Sequence, residues 1–267
     1  MTSVVTMTVA VPVTTLWVDP DSPRAVDAAM LRQRPDSAQW LAALDAHADE
    51  GPEGVGAGRL GLHGRVHSQL LQGEPVQVVG AKGYSWTEVV CPWQPCSTDP
   101  RGYRGWLPAG HLRAVKGAAE ELVAHGPVPS PAAADAVAGT VHPALALARR
   151  HLGVGYLWGG MSPVALDCSG LVHLAWRELG MTVPRDAHDQ QLAADPVRLD
   201  EVEPGDLYFF TEPGALTAHH VGIVVAPGVL IHAPETGRAV VEEPLTERLR
   251  ATLSAAGRVR TGPAPSL

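Results

Sequence analysis

Cys168 sits in the segment LDCSGLVHLAW, where apolar residues recur at helical spacing behind it. A cysteine in the first turn of a helix meets unpaired N–H groups and the positive end of the helix dipole, and both favour the thiolate. The thiolate is the form that attacks carbonyl carbon. Asp167 opposes this, because a neighbouring carboxylate raises a thiol pKa; it suits a helix cap or a substrate amine instead. A free cysteine is also often an inert buried residue, so the chemistry depends on a base. His219 and His220 open the run HHVGIVV, and His232 stands in the next strand-like run, VLIHA. Side chains alternate along a strand, so only one of two adjacent histidines can face the cysteine, and parity alone does not choose. Gly222, two places on from His220, leaves open space beside that ring. A base also needs a group that holds its tautomer, and His232 on the next strand of an antiparallel pair is placed for it. His63, His67, His111, His142, His151, His173 and His188 are scattered, with no HExxH or similar metal spacing. The glycine-rich YLWGG has no GKS or GKT ending and is no phosphate loop.

The elements that must hold these residues read as follows. A helix is expected from about Cys168 to Leu179, with Leu171, Val172, Ala175, Trp176 and Leu179 as its buried stripe and Gly180 as its stop. Before it, Thr140 can cap a helix that carries Pro143 in its first turn, Leu145, Ala148 and Leu152 on one face, and Gly153 at its end. After it come three strand-like runs, DLYFF, HVGIVV and GVLIHA. Helices followed by strands give an α+β domain over residues 140–267. Residues 1–117 differ in texture: VTMTVAVPV, EPVQVVGAKG, SWTEVVCPW and YRGWLPAGHL suit the strands of a small barrel. A polar insertion, about 19–60, interrupts them. Within it VDAAMLRQ and SAQWLAALDAH are helical in pattern, the second with Ser37 as cap and Trp40, Leu41 and Leu44 on one face. Residues 118–139 read as a linker in which Pro127, Pro129 and Pro131 favour extended backbone. No internal repeat is present.

The 267 residues are 45% hydrophobic and 18% charged, a globular composition. The net charge of −8 and the absence of Lys/Arg clusters exclude nucleic acid as the expected partner. Cys91 and Cys96 could pair locally, but the plainer reading is two loop cysteines without chemistry, and no second pair accompanies them to make a metal site. The first eighteen residues carry no charge. They lack a basic n-region, and Thr and Pro interrupt the apolar run, so they read as strands rather than a secretion signal. No run is long enough to span a membrane. The expected compartment is the cytoplasm; the oligomeric state is left open.

DCSGLV, HVGIVV and LIHAP, with YLWGG upstream, resemble the signature segments of the NlpC/P60 family of cell-wall peptidases, in the same order and across the whole C-terminal domain. The resemblance implies a papain-like α+β fold with Cys168 as nucleophile, His220 as general base, His232 as the orienting third residue and Tyr156 beside the oxyanion. It implies no metal and no organic cofactor. The N-terminal segments GRVHSQLLQGEPVQVV and GYRGWLPAGHL resemble the bacterial SH3 domain of those members that cleave γ-D-glutamyl–diamino acid bonds in short murein peptides. In them the SH3 domain partly covers the cleft and admits peptides with a free N-terminal L-alanine. The matching positions are Glu74, Tyr103 and Asp186, with Asp167 and Ser169 also at substrate. The pattern often has serine after that aspartate, where this chain has Ala187, and such enzymes often carry two SH3 domains, of which one is recognisable in this sequence. Three alternatives remain: an exported endopeptidase on intact peptidoglycan, an acyltransferase or amidase on the same fold, and a catalytically silent wall-binding module.

Overall fold

Two antiparallel sheets, each with its own apolar core, carry the chain. The structure, a computed structural model, describes residues 5–48, 51–115, 119–235 and 238–260. The first sheet comprises β1 (Val5–Val9), β2 (Val13–Trp17), β3 (Val66–Leu71), β4 (Pro75–Lys82), β5 (Trp86–Cys91), β6 (Tyr103–Pro108) and β7 (Leu112–Ala114) in the order β3-β2-β6-β5-β4-β1-β7. Alternating residues of these strands, Val9, Leu16, Leu70, Val76, Val89 and Leu107, close over one core. This strand-rich region is consistent with an SH3-like domain.

The insertion holds α1 (Ala28–Leu31) and α2 (Ser37–Asp45). Asp36, not Ser37, caps α2: its carboxylate accepts from Gln39 N–H at 2.9 Å. Trp40 and Leu44 are buried, and Trp40 packs edge-on against Trp17 of β2 with ring centroids 6.4 Å apart. Leu62, Val66, Leu157 and Ala165 complete this cluster. The insertion is therefore apolar cement between the first sheet and the C-terminal half.

Much of the stretch expected to form an extended linker is helical instead, as α3 (Ala119–His125) and α4 (Pro131–Ala138), while residues 126–130, with Pro127 and Pro129, are not. Pro131 occupies the start of α4, where its missing N–H costs nothing. Ala133 and Ala136 are buried, Ala136 in the catalytic core. The boundary expected at residues 117 and 118 lies outside the described residues.

The second half contains α5 (Pro143–Arg149), the short pair β8 (Met161–Ser162) and β9 (Ala165–Leu166), α6 (Cys168–Glu178), α7 (Ala187–Ala193), β10 (Asp195–Val197), β11 (Leu207–Phe210), β12 (His220–Ala226), β13 (Val229–His232), β14 (Val241–Pro244), α8 (Glu247–Thr252) and β15 (Leu253–Arg258). Its six-stranded sheet runs β10-β15-β11-β12-β13-β14. Period-2 alternation is complete on the inner strands. Leu207, Phe209, Val221, Ile223 and Ile231 meet the helices, while Tyr208, Phe210, Val224 and Leu230 face a second cluster with Leu245 and Ala256. This is the mixed helix and sheet architecture expected.

Helix α6 departs from its expected single buried stripe. Every residue from Cys168 to Arg177 is buried, whereas Leu179 is only partly so. The apolar face meets α5 and β12, and the face bearing Ser169, His173 and Arg177 is covered too. Gly180, at φ +80°, ends the helix as expected.

Candidate active site

Asp167 caps α6, and Cys168 is the first helical residue. The Asp167 carboxylate accepts from Gly170 N–H at 2.7 Å, Gly159 N–H at 2.9 Å and Ser169 Oγ at 3.3 Å. It also accepts from Arg185 Nη1 at 3.0 Å and Nη2 at 2.7 Å. With five protein donors on its two oxygens, Asp167 is an anchor for the helix start and is not available to a substrate amine, as the sequence suggested it could be. A Cβ on Gly170 would overlap the Gly160 carbonyl, so the DCSG turn depends on glycine there. Ser169 lines the cleft, but its hydroxyl is committed: it accepts from Arg185 Nη1 at 2.9 Å and donates to Asp167.

Burial, and after it the Asp167 charge, push the Cys168 thiol up to about 12. The N–H groups of Val221 and Ser169 and the Arg185 charge act in the opposite direction without overcoming them. The helix terminus alone had suggested a thiolate; desolvation outweighs it. The Val221 contact also puts the sulfur against the strand position next to His220.

His220 begins β12, opposite Phe210 of β11, and is buried in the wall of the cleft. Its Nε2 lies 2.7 Å from His232 Nδ1, and His232 Nε2 lies 3.1 Å from Glu243 Oε1 on β14. Burial, then the neighbouring His232, His219 and Arg248, hold His220 well below the usual imidazole range. Burial also lowers His232, against the carboxylates of Glu243 and Glu235. Both rings are thus neutral near pH 7. His219 turns away toward Glu212 at 3.5 Å and is 42% exposed, which resolves the parity question in favour of His220. Gly222 does not leave room beside the His220 ring, as the sequence suggested; a Cβ there would meet Leu230 Cδ1 at 2.6 Å and His232 Cβ at 3.1 Å. The glycine admits His232 instead.

These residues line a cleft of about 920 Å³ that also includes Tyr156, Trp158, Tyr103, Asp186, His63, His67 and Glu53. Tyr156 is buried near the thiol, and burial and the charge of a Cys168 thiolate raise its phenol well above 10. Tyr103 Oη donates to Asp186 Oδ2 at 2.7 Å, so β6 and the N-terminus of α7 meet across the seam between the two halves. His67 tilts against Tyr103 at 5.2 Å, and His63 stacks on Trp158 at 4.0 Å. Neither histidine was singled out from sequence, because both depend on the seam. Arg59 of the insertion donates to the Tyr156 carbonyl, which ties the insertion to the cleft wall. Asp186, His188 and Asp189 bring ligand-type atoms within 4.8 Å of one another and are the residues, among those described, that could hold a cation.

Glu74 is a correction. It is fully buried and outside the cleft, where it accepts from Arg177 Nη1 on α6, Gln94 Nε2 at 2.8 Å and Leu71 N–H at 3.1 Å. Its charge is spent on docking the first sheet to α6, not on a peptide amine. Arg185, unremarked in the sequence, has the larger part: besides Asp167 and Ser169 it holds Ser68 Oγ of β3 at 2.8 Å. Cys91 and Cys96 are buried free thiols.

The sequence profile described as the NlpC/P60 family matches residues 153–256. Gamma-D-glutamyl-L-lysine dipeptidyl-peptidase of Bacillus subtilis is 33% identical over 290 residues, covering 91% of this chain and 94% of that protein. A protein of the same name from Bacillus cereus is 25% identical, over 86% of this chain and 84% of that one. The crystal structure of an NlpC/P60 family protein from Bacillus cereus superposes with a TM-score of 0.77 at 24% identity, covering 95% of this chain and 99% of that chain.

Proposed function

The chain belongs to the NlpC/P60 family of peptidoglycan-related endopeptidases and is a cysteine peptidase; from that premise we propose that it releases L-Ala-D-Glu from short murein peptides with a free N-terminal L-alanine, by cleaving the γ-D-glutamyl–diamino acid bond. The observation that carries this reading is the seam. Cys168, His220 and His232 share one cleft with the Tyr103–Asp186 pair, which only the docked N-terminal half completes. A half-buried carboxylate beside a phenol suits a terminal ammonium. The match to two dipeptidyl-peptidases along most of the chain supports the same substrate class.

In this mechanism His220 takes the Cys168 proton as sulfur attacks the γ-carbonyl of D-glutamate. Backbone N–H groups around Cys168 and the Tyr156 phenol face the developing oxyanion. His220 returns the proton to the leaving amine of the diamino acid, which leaves a thioester on Cys168. Water then gives a proton to His220 and adds to the thioester, and the dipeptide leaves as the thiol is restored. The raised thiol and lowered imidazole favour the neutral pair in the free enzyme, so ionising Cys168 contributes to the barrier of the acylation step. The cytoplasm is the proposed compartment, since short free-amine peptides are products of wall turnover.

Hydrolysis of L-Ala-γ-D-Glu-L-Lys and its diaminopimelate counterpart, beside their N-acetylated forms, tests the proposal. Cleavage of the free-amine peptides alone, lost in Cys168→Ala, is expected. Equal cleavage of the acetylated peptides would remove the amine requirement, and turnover of intact wall but not of tripeptides would favour a wall endopeptidase.

A further inference from the structure

Beyond the three expected residues the histidine row ends on a carboxylate, and that end sets its direction. Strand β14 carries two consecutive glutamates, which alternation sends to opposite sides. Glu242 pairs with Arg149 of α5 at 2.8 Å. Glu243 points to His232, and its second oxygen accepts from Arg238 Nη2 at 3.3 Å.

We infer that Glu243 is a positioning residue for acyl transfer: it fixes the tautomers of both histidines so that His220 keeps an unprotonated Nδ1 for the Cys168 proton. The inference rests on the reading of Cys168 and His220 given above. An ionised carboxylate only accepts hydrogen bonds. His232 must then carry its proton on Nε2, the nitrogen 3.1 Å from Glu243 Oε1. A neutral imidazole has one N–H, so His232 Nδ1 is an acceptor. The 2.7 Å contact to His220 therefore has His220 Nε2 as donor. His220 is neutral too, which leaves its Nδ1 bare. Without the carboxylate the reverse row is equally well bonded: His232 Nδ1–H would donate to His220 Nε2, and the His220 proton would sit on Nδ1. That row is no base toward the thiol.

The carboxylate also bears on the charge that develops. When His220 takes the thiol proton, an imidazolium forms beside His232, with Glu243 next in line. The other charged and titratable groups around the two rings are His219 next to His220, Glu235 and Arg238 in the segment after β13, and Arg248 on α8. Glu235 is paired with Arg248 at 3.3 Å, so Glu243 is the carboxylate bonded to the row itself.

The test uses Glu243→Gln and Glu243→Ala in the full chain, with ¹⁵N-histidine spectra of the free enzyme and pH profiles of tripeptide hydrolysis. In the wild type both His220 and His232 are expected to be protonated at Nε2. Glu243→Ala should mix the tautomers and lower kcat about 10- to 100-fold with KM little changed, by analogy with the loss of carboxylates that orient metal-bound histidines. Glu243→Gln, whose amide can accept from or donate to His232 Nε2 and carries no charge, should also mix the tautomers, keep more kcat than the alanine variant because the ring stays bonded, and move its acid limb to lower pH, because the His220 imidazolium has lost a stabilising charge. A His220 proton found on Nδ1 in the wild type would overturn the inference, as would wild-type kcat and acid limb in both variants. If no wall peptide is turned over, the function assigned above fails, yet the wild-type spectra still decide the role of Glu243. They also decide it should either variant fail to fold.

Discussion

Arg185→Met is expected to be among the most damaging single substitutions in the chain, although Arg185 need touch no substrate. Its guanidinium is 1% exposed and donates to Ser68 Oγ, both Asp167 oxygens, Ser169 Oγ and, at 3.5 Å, the Gly160 carbonyl. Methionine fills much of the volume and supplies none of these donors. The loss leaves the Asp167 charge buried with two backbone N–H groups and the Ser169 hydroxyl, and breaking a buried pair from one side costs about 3–5 kcal/mol. For a chain of this size that is a fall in Tm of roughly 6–20 °C. Asp167→Asn should cost a similar amount, because asparagine caps a helix about as well as aspartate and the damage comes from the orphaned guanidinium. The double variant has no uncompensated charge. Its loss should therefore fall short of the sum of the two single losses by a coupling of about 3 kcal/mol. Urea unfolding of the four proteins at pH 7.5 gives the cycle. A loss below about 1 kcal/mol in Arg185→Met, the ordinary range for surface changes, or additivity within about 0.5 kcal/mol, would refute the claim that this pair holds the nucleophile's helix.

Other expectations follow from the same structure. With its thiol near 12, Cys168 should react with iodoacetamide about tenfold faster per pH unit between pH 7 and 10; a flat rate from pH 5 to 8 would reveal a preformed thiolate–imidazolium pair instead. His173, buried in α6 with Nδ1 donating to the Val183 carbonyl at 2.8 Å, is pushed down to about 3, chiefly by burial. Its folded pKa is below its unfolded one, so its contribution is complete above about pH 6.5 and is lost as pH falls below that. At pH 5 the loss should be about 2 kcal/mol, and His173→Gln should shrink the stability gap between pH 7.5 and 5.0 by that amount. Glu74→Gln should lower the urea midpoint, because it leaves Arg177 without its buried partner, yet keep the preference for free-amine peptides. Asp186→Asn should leave the urea midpoint little changed and lose the preference for free-amine peptides, and an acetylated peptide cleaved relatively faster by Glu74→Gln would restore Glu74 to the substrate.

What the sequence disclosed depended on how local its signal was. Cys168, His220 and His232 each stand in a short apolar run whose period announces helix or strand, so chemistry and placement could be read together. Glu243 needed a third strand and its register; the only local hint was a Glu pair following two valines, in a run where alternation must send one carboxylate toward the preceding histidine strand. Arg185 had no local hint, because Ser68 is 117 positions away. Glu74 was assigned by resemblance to a substrate role that Arg177 pre-empts, 103 positions on. In the presumed linker, prolines read as extended backbone, but Pro131 is also a good first residue of a helix, and Ala133 and Ala136 supply the small apolar face that packs it.

The polar face of α6 explains why the N-terminal half cannot be treated as an accessory. An isolated catalytic domain would expose Arg177 and the Arg185–Asp167 cluster to water, and the apolar face of α6 alone would set its position. In the full chain Glu74 and Ser68 of the first half reach across to Arg177 and Arg185, and the backbone N–H of Arg185 donates to the Pro95 carbonyl at 3.1 Å. Trp93 lies against the Arg177 guanidinium at 5.3 Å. The helix that carries the nucleophile is thus registered from both sides, by apolar packing from the sheet and by charge from the barrel-like half. Small displacements of that half should alter the Cys168 environment before they alter the fold. A substitution such as Trp93→Phe, which keeps most of the buried ring volume at a residue outside the cleft lining but changes the face laid against Arg177, is accordingly expected to lower kcat with only a modest change in Tm; a variant that lost stability and kept full kcat would show that the sheet alone positions the nucleophile.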